Sequence, residues 1–254
     1  MERRPETAGA DPVTAETNDD LSYCSVMALE EQFRDAVEAV KPRLRGWLHA
    51  GTFPVALAAG VGLVVLAPST QARVTGGIFA LTAALLFGVS ALYHRGRWSE
   101  RASAVLRRLD HANIFLIIAG TYTPFTILLL DRDDARILLT LVWVGALAGV
   151  AFRVLWVGAS RWLYVPVYIA LGWAAAFWLP QFASRGGIAV LVLIMVGGLL
   201  YSAGAVVYAL KRPNPSPRWF GFHEIFHTCT VAGFAAHHVG VWLAAFGVGA
   251  VAVG

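Results

Sequence analysis

Charged residues are scarce in this chain and unevenly spread. Only 14% of the 254 residues are Asp, Glu, Lys or Arg, whereas a soluble domain carries about 25%. Mean hydropathy is correspondingly high at +0.62. Seven stretches contain no charged residue at all: 46–72, 74–94, 111–130, 137–152, 162–184, 186–210 and 225–254. This composition argues against a large soluble helical bundle and indicates an integral membrane protein.

Most of these stretches match the roughly 20 residues that a helix needs to cross a bilayer. The shorter stretch 137–152 can extend past Arg153 if that side chain snorkels to the membrane surface. The stretches lack the alternation of barrel strands, which leaves helices as the spanning elements. The predicted fold is an all-α membrane protein, a seven-transmembrane helix bundle with spans at 48–68, 74–95, 111–130, 136–156, 162–181, 187–210 and 226–250.

Cysteine is nearly absent, and the sequence shows neither a signal-peptide pattern at residues 1–20 nor a nucleic-acid-binding pattern. Cys24 and Cys229 are too few for a disulfide framework, and Cys229 is interpreted as a small buried residue rather than a ligand. Residues 1–20 lack the apolar core and cleavage site of a secretory signal peptide. No basic groove with stacked aromatics is present, so no nucleic-acid partner is expected.

Three segments follow from the pattern. Residues 1–25 are polar and are predicted to form a disordered cytoplasmic tail. Residues 26–46 carry apolar side chains at helical spacing and are predicted to form an amphipathic cytoplasmic segment; a weakly ordered solvated helix is the alternative. Residues 47–254 form the predicted seven-helix membrane domain.

Positive charge sets the predicted orientation. Sixteen of the twenty Lys and Arg residues fall in 1–47, 95–110, 153–161 and 211–225, and four fall in the connections on the other side. By the positive-inside rule, the N-terminus is cytoplasmic and the C-terminus lies outside. The basic pI then reflects this topology and contact with anionic lipid.

Histidines gather at the cytoplasmic end of the predicted bundle. His94 ends the second span, Asp110 and His111 begin the third, and His223 and His227 begin the seventh. The last two are four residues apart and share a helix face, and ionisable groups at membrane depth usually face the bundle interior. Three imidazoles with a carboxylate indicate a catalytic zinc site, in which a fourth position holds an activated water.

Each residue of this group also has a structural interpretation. A single interfacial His is usually a hydrogen-bonded structural residue, and Asp110 taken alone is best explained as an N-cap or helix-dipole partner. The common depth of the group favours the metal site, where Asp110 orients the water or takes its proton. Ser90 lies one turn before His94 on the same face.

Two further histidine positions are interpreted differently. His49, at the start of the first span, is assigned an interfacial role. His238 lies within about 20° of the face of His227 but roughly 16 Å further into the membrane. It is a candidate for lining a cavity and too distant to join the same metal.

The stretch His223-Glu224-Ile225-Phe226-His227 fits H-E-x-x-H, the zinc motif of metalloproteases in which the Glu is the general base. Such a protease needs a third ligand, usually downstream, where only His237 and His238 remain. On a helix Glu224 points about 100° away from His223. A position at the cytoplasmic surface is favoured for Glu224, which leaves Asp110 as the base.

Three separated motifs resemble the bacterial hemolysin III family: Ser90-Ala-Leu-Tyr-His94, Leu109-Asp110-His111-Ala112-Asn113-Ile114-Phe115 with Thr121-Tyr122-Thr123-Pro124 after it, and His223-Glu224-Ile225-Phe226-His227. That family belongs to the progestin and adipoQ receptor group, which includes the adiponectin receptors, and is similar to alkaline ceramidases. The resemblance covers residues 45–254. One departure is Glu224, where the adiponectin receptors carry Gln.

The resemblance implies a multi-pass protein of the bacterial inner (plasma) membrane with a zinc ion near the cytoplasmic face. It implies that His94, His223 and His227 are the zinc ligands, that Asp110 holds the zinc-bound water and that Ser90 lies beside the site. His111 follows Asp110 in the bacterial pattern, and we assign it no catalytic role.

Three functions are compatible with these observations. The first is a ceramidase-like, zinc-dependent amide hydrolase acting on a membrane lipid. The second is a non-enzymatic receptor-like protein, lipid regulator or hemolysin with a structural zinc, although structural sites usually close with four protein ligands. The third is an intramembrane metalloprotease. The oligomeric state stays open, because the small residues at 145–149 and 196–198 suit internal packing and dimerisation equally.

Overall fold

The computed structural model describes residues 42–156 and 158–251, with side chains up to Gly247. Its helices, in chain order, are α1 (Trp47–Leu66), α2 (Thr70–Arg95), α3 (Glu100–Leu129), α4 (Arg132–Leu155), α5 (Arg161–Gly172), a 3₁₀ helix (Ala174–Trp178), α6 (Leu179–Leu210) and α7 (Phe222–Val251). These ranges contain no strand, so the predicted all-α class is confirmed. The predicted tail over 1–25 and all of the predicted segment 26–46 except 42–46 lie outside the described residues.

Six helical stretches are long and apolar enough to cross a membrane. Five are α1, α2, α3, α4 and α7 up to Gly247, and the sixth is the continuous stretch Arg161–Leu210 that includes α5, the 3₁₀ helix and α6. Large apolar side chains such as Leu155, Phe177 and Ile188 are exposed on the outer surface. An apolar surface of this extent fits lipid contact rather than water, and the predicted membrane protein is confirmed at this level.

Several helices begin before the predicted membrane boundary, and two of them carry site residues. α3 begins at Glu100, where the Ser99 side chain accepts a hydrogen bond from the Ala102 N–H at 3.4 Å, and α7 begins at Phe222. Charge-free runs mark where a chain enters lipid, whereas a helix continues through charged residues that stay at the surface. Asp110 consequently lies about three turns inside α3, and its interpretation as an N-cap is wrong.

The predicted fifth and sixth spans, 162–181 and 187–210, fall in one helical stretch with two irregularities. A 3₁₀ helix separates α5 from α6. Within α6, Gly187 has φ 79° and ψ 170°, a conformation that is essentially restricted to glycine. Both irregularities lie between the two predicted spans or close to their ends.

This stretch runs from the histidine end of the bundle to the opposite end and back. Three contacts mark its path: Tyr168 with His111, Arg185 with Asp131, and Tyr208 with His223. The first and third lie among the histidines, and the second lies where α3 gives way to α4. Arg161–Leu210 therefore reverses direction near its middle.

Aromatic packing joins α2 to α7. Phe234 of α7 has ring centroids 5.5 Å from Phe79 and 5.1 Å from Phe87 of α2, and both α2 rings are fully buried. In lipid, helices associate through close packing rather than through a hydrophobic driving force. These contacts hold together the two helices that carry His94, His223 and His227.

The small residues whose role was open contribute to packing inside the chain. Gly145 faces Leu171 of α5, and Gly149 faces Phe115 of α3. Both glycines in 145–149 are therefore used in contacts between helices of one chain.

Candidate metal centre

α2 presents Ser90 and His94 on one face near its C-terminal end. They are one turn apart, and both side chains are buried. Arg95 ends the helix, and its guanidinium lies over the Trp47 ring at 4.0 Å. A basic side chain at a helix C-terminus also complements the helix dipole. The last turn of α2, which carries His94, is thereby fixed against the start of α1.

α7 presents His223 and His227 within its first two turns. The start of the helix is capped from two directions. The Asn214 Oδ1 accepts the Phe222 N–H at 2.8 Å, and the Glu224 Oε2 accepts the Gly221 N–H at 2.8 Å. Capping satisfies backbone N–H groups that have no partner within the helix, and it fixes where the histidine face points.

Three imidazoles converge between α2 and α7. One ring nitrogen each from His94, His223 and His227 lies within 4.8 Å of the other two. The ring centroids are 4.9 Å apart for His94 and His223, and 4.6 Å apart for His223 and His227. Imidazole nitrogens are common ligands of zinc and other transition metals, so this group could hold a metal ion.

Asp110 of α3 lies beside this cluster. Its Oδ2 is 3.7 Å from the His94 Nε2, which is longer than a hydrogen bond. The Ser90 side chain lies near the Asp110 carboxylate, although its Oγ makes no hydrogen bond within the described residues, and both residues line the same cavity. The sequence-predicted site residues Asp110, Ser90, His94, His223 and His227 therefore occupy one place in the fold.

His49 belongs to this place too, although the sequence interpretation gave it an interfacial role. Only 2% of its surface is exposed. Its ring stacks on that of His227 with centroids 3.7 Å apart and an interplanar angle of 9°. Neither ring nitrogen has a hydrogen-bond partner among the residues that the structure describes. The other histidines were grouped because they lie at the predicted cytoplasmic ends of their spans. His49 lies at the predicted cytoplasmic start of the first span, so the same argument could have placed it in the group.

Glu224 does not face the cytoplasmic surface, so that prediction is wrong. It is 1% exposed, and its Oε1 accepts a hydrogen bond from the Arg45 Nε at 2.5 Å. The reason is that the chain just before α1 lies against the connection that leads into α7: the Arg43 N–H donates to the Arg218 carbonyl at 3.0 Å. Both Glu224 oxygens therefore accept hydrogen bonds, one that joins the segment before α1 to α7 and one that caps the start of α7.

Arg153 does not snorkel to the membrane surface. α4 extends past it to Leu155, as predicted, but the side chain is 2% exposed. Its Nη2 lies 2.7 Å from the His111 Nδ1, and its guanidinium lies over the Tyr164 ring at 4.3 Å. The His111 ring nitrogen and the face of the Tyr164 ring therefore contact the guanidinium inside the bundle. This interior position was not detectable from a stretch that looked like an ordinary span end.

A cavity extends from the cluster into the membrane domain. It has a volume of about 120 Å³, several times the roughly 10–15 Å³ that one water needs on the same measure. Apolar side chains of α3 and α5 form much of its wall, including Ile114, Ile117, Ile118, Val165 and Ile169. Such a cavity suits an apolar ligand with a polar group at the histidines.

His237 lines this cavity, whereas the candidate from the sequence, His238, does not line it. The His238 ring packs on Phe79 and Phe234, and its Nε2 accepts the Trp242 Nε1–H at 2.9 Å. Successive residues on a helix differ by about 100°. The prediction for His238 projected the helix face of His227 along α7. It did not include the position of α6, which lies beside His237 and determines where the cavity is.

Comparisons with known proteins identify the family of this chain. The model of the Haemolysin-III related family matches residues 37–238. A hemolysin-3 homolog of Bacillus subtilis (strain 168) is 34% identical over 161 residues, which is 63% of this chain and 71% of that protein. Hemolysin-3 of Bacillus cereus is 28% identical over 66% of this chain and 73% of its own length. The adiponectin receptor protein of Drosophila melanogaster is 26% identical over 68% of this chain and 43% of its own length.

Proposed function

The chain belongs to the haemolysin III-related family, and from that premise we propose that it is a zinc-binding membrane enzyme that hydrolyses an amide bond in a lipid. The observation that supports this most directly is the convergence of His94, His223 and His227 at one end of a largely apolar cavity. Asp110 beside them supplies a carboxylate within reach of the same space. The family premise favours the bacterial plasma membrane as the location.

The donor set fits zinc. In tetrahedral coordination at about 2.0–2.1 Å, ligand nitrogens are roughly 3.3 Å apart. The three histidine nitrogens lie within 4.8 Å of one another, so small side-chain rotations bring them to that spacing. Three protein ligands leave one position for water or substrate, which is the pattern of catalytic zinc sites.

The residues around the cluster have separate tasks in the proposed reaction. Zinc, when bound, polarises the amide carbonyl and activates a water. Asp110 accepts a proton from the attacking water and returns it to the leaving amine. Ser90, next to the Asp110 carboxylate, orients it, while the apolar cavity wall holds the lipid chain and excludes bulk water.

We propose a seven-crossing topology with the N-terminus in the cytoplasm. The stretch Arg161–Leu210 has 50 residues, so as one straight helix it would measure about 75 Å, against a hydrocarbon core of about 30 Å. Its return path and the irregular Gly187 support two crossings. The bias of 16 to 4 positive residues supports a cytoplasmic histidine end.

The engagement of Glu224 disfavours the metalloprotease alternative. A zincin base must be free to take a proton from water, but here Arg45 and the Gly221 N–H hold both carboxylate oxygens. Asp110 is the carboxylate that lies in the cavity.

Metal content and turnover together test the proposal. We expect about one zinc per chain in purified wild-type protein, sharply reduced in His94→Ala. Asp110→Asn should keep its zinc and lose hydrolysis of an N-acyl lipid such as ceramide, by about a hundredfold or more. Zinc retained in His94→Ala would point to a local site on α7.

The remaining outcomes separate the alternatives. Full turnover by Asp110→Asn would exclude it as the base. Absence of zinc in the wild type, after purification without chelators, would favour a non-enzymatic membrane protein.

A further inference from the structure

Two polar side chains line the cavity far from the histidine cluster. They are Tyr201 of α6 and His237 of α7. His237 follows His227 by ten residues, which corresponds to roughly 15 Å along the helix. Their ring centroids are 5.5 Å apart, so the two side chains form one polar position deep in the membrane domain.

Each side chain has a polar atom that the described residues leave without a partner. These atoms are the Tyr201 hydroxyl oxygen and the His237 Nδ1, and both are buried. Buried polar atoms in native proteins are nearly always hydrogen-bonded, so an exception requires an explanation. The explanation is most direct when both atoms border a cavity that can admit a ligand.

The His237 ring is held in a defined orientation. Its Nε2 lies 3.1 Å from the Ile194 carbonyl; since a carbonyl only accepts, Nε2 carries the proton and Nδ1 is an acceptor. The ring packs directly over Gly197 of α6, where any side chain would overlap it. The fold thus presents one fixed acceptor, with the Tyr201 hydroxyl as a donor beside it.

The other polar groups around this position are already engaged. Thr121 and Thr230 donate to backbone carbonyls of their own helices at 2.7 and 2.9 Å. The Trp173 Nε1 donates to the Ser202 Oγ at 2.9 Å. No Asp, Glu, Lys or Arg lines this end of the cavity in the part of the chain that the structure describes. A charged ligand group would therefore find no counter-charge here.

The space continues past His237. A second cavity shares His237 and Trp173 with the first and extends towards Leu179 and Phe182. His237 accordingly borders the path of a long ligand rather than a closed end, and an apolar chain that starts at the histidine cluster can pass it and continue.

We propose that Tyr201 and His237 form a subsite for a hydroxyl group carried within the apolar chain of the lipid substrate. A hydroxyl both donates and accepts, so it can donate to the His237 Nδ1 and accept from the Tyr201 hydroxyl at once. A carbonyl or ether oxygen satisfies only the tyrosine. This inference rests on the proposed function, since it assumes that a lipid chain occupies the cavity, and it narrows the substrate class to hydroxylated acyl lipids.

Equilibrium binding of fatty acids to the full-length protein in detergent tests the proposal without requiring turnover. The probes are octadecanoic acid and a series of its monohydroxy derivatives with the hydroxyl at successive positions, measured by competition against a fluorescent fatty acid. In the wild type we expect mid-chain hydroxyl derivatives to bind about tenfold to thirtyfold more tightly than the plain acid, as two added hydrogen bonds give. Derivatives hydroxylated near either end should bind like the plain acid.

Tyr201→Phe provides the matched comparison, because it removes one oxygen and keeps the ring. It should bind plain octadecanoic acid as the wild type does and lose most of the mid-chain preference. Equal binding of the plain and all hydroxylated acids by the wild type would overturn the subsite and assign the two polar atoms to bound water. A preference that persists unchanged in Tyr201→Phe would overturn it as well.

Failure of the proposed function has a different signature. If neither plain nor hydroxylated acids bind, the cavity does not take lipid chains, and both proposals fall. If the plain acid binds but no derivative is preferred, only the subsite falls.

Discussion

At the scale of single residues, the Arg45–Glu224 pair gives a prediction that separates structure from chemistry. Glu224→Gln leaves Arg45 without its carboxylate. Breaking a fully buried pair costs about 3–5 kcal/mol; the Arg45 side chain is 18% exposed, so a loss of about 2 kcal/mol in the free energy of unfolding is expected. The measurement is thermal unfolding in detergent, with zinc content determined on the same sample.

The double variant Arg45→Gln/Glu224→Gln should recover part of that loss, because it removes the uncompensated charge. Zinc content should stay near one per chain in the wild type, in Glu224→Gln and in the double variant. A Glu224→Gln variant that melts like the wild type but has lost hydrolysis would instead identify Glu224 as the base.

His49 gives a second prediction at this scale. Its ring stacks on His227 while its nitrogens have no partner among the described residues. His49→Phe keeps a flat ring there and removes two buried polar atoms, so the change should leave stability unchanged or raise it by up to about 1 kcal/mol. Metal analysis should still find one zinc per chain; a marked drop would make His49 a ligand.

At the scale of elements, the reversal within Arg161–Leu210 depends on Gly187. Its backbone conformation is strained for any residue with a Cβ, at a cost of about 1–3 kcal/mol, although a Cβ there would meet no atom within 4 Å. Gly187→Ala should therefore lower the melting temperature through the backbone alone. Gly172→Ala is the matched control, because a Cβ there also meets no atom within 4 Å while the backbone is not in the positive-φ region, and this variant should not melt below the wild type.

The sequence patterns predicted the helices, but they did not predict every direction in which the side chains of those helices point. Charge-free runs predicted where the chain enters lipid, and the four-residue spacings placed Ser90 with His94 and His223 with His227. The direction of Glu224 depends on Arg45, which is 179 residues away, and no local periodicity contains that contact. The prediction that His238, and not His237, lines the cavity was wrong for the same reason. Neighbouring helices, and not helical rotation alone, decide which side chain faces a cavity.

At the scale of the whole molecule, the proposed seven-crossing topology predicts which connections are accessible from outside. The native Cys24 and Cys229 are first replaced by Ser, and single cysteines are introduced at Arg101, Asp133 and Ser184, all exposed. A membrane-impermeant thiol reagent added to intact cells should label the second and third but not the first. Inside-out vesicles should give the reverse pattern. Labelling of the Ser184 cysteine only from the inside would contradict two crossings in Arg161–Leu210.

The histidine cluster also has a consequence for biosynthesis. His94 leaves the ribosome early, whereas His223 and His227 follow only after the intervening helices have been made. No nascent chain that stops short of α7 can gather all three imidazoles, so the proposed site can take up its metal only after insertion of α7 and not during the earlier stages of synthesis. A cell that is short of the metal would accumulate full-length protein that is inserted but not loaded. Pulse-labelled chains should then acquire metal in a step that can be separated in time from translation.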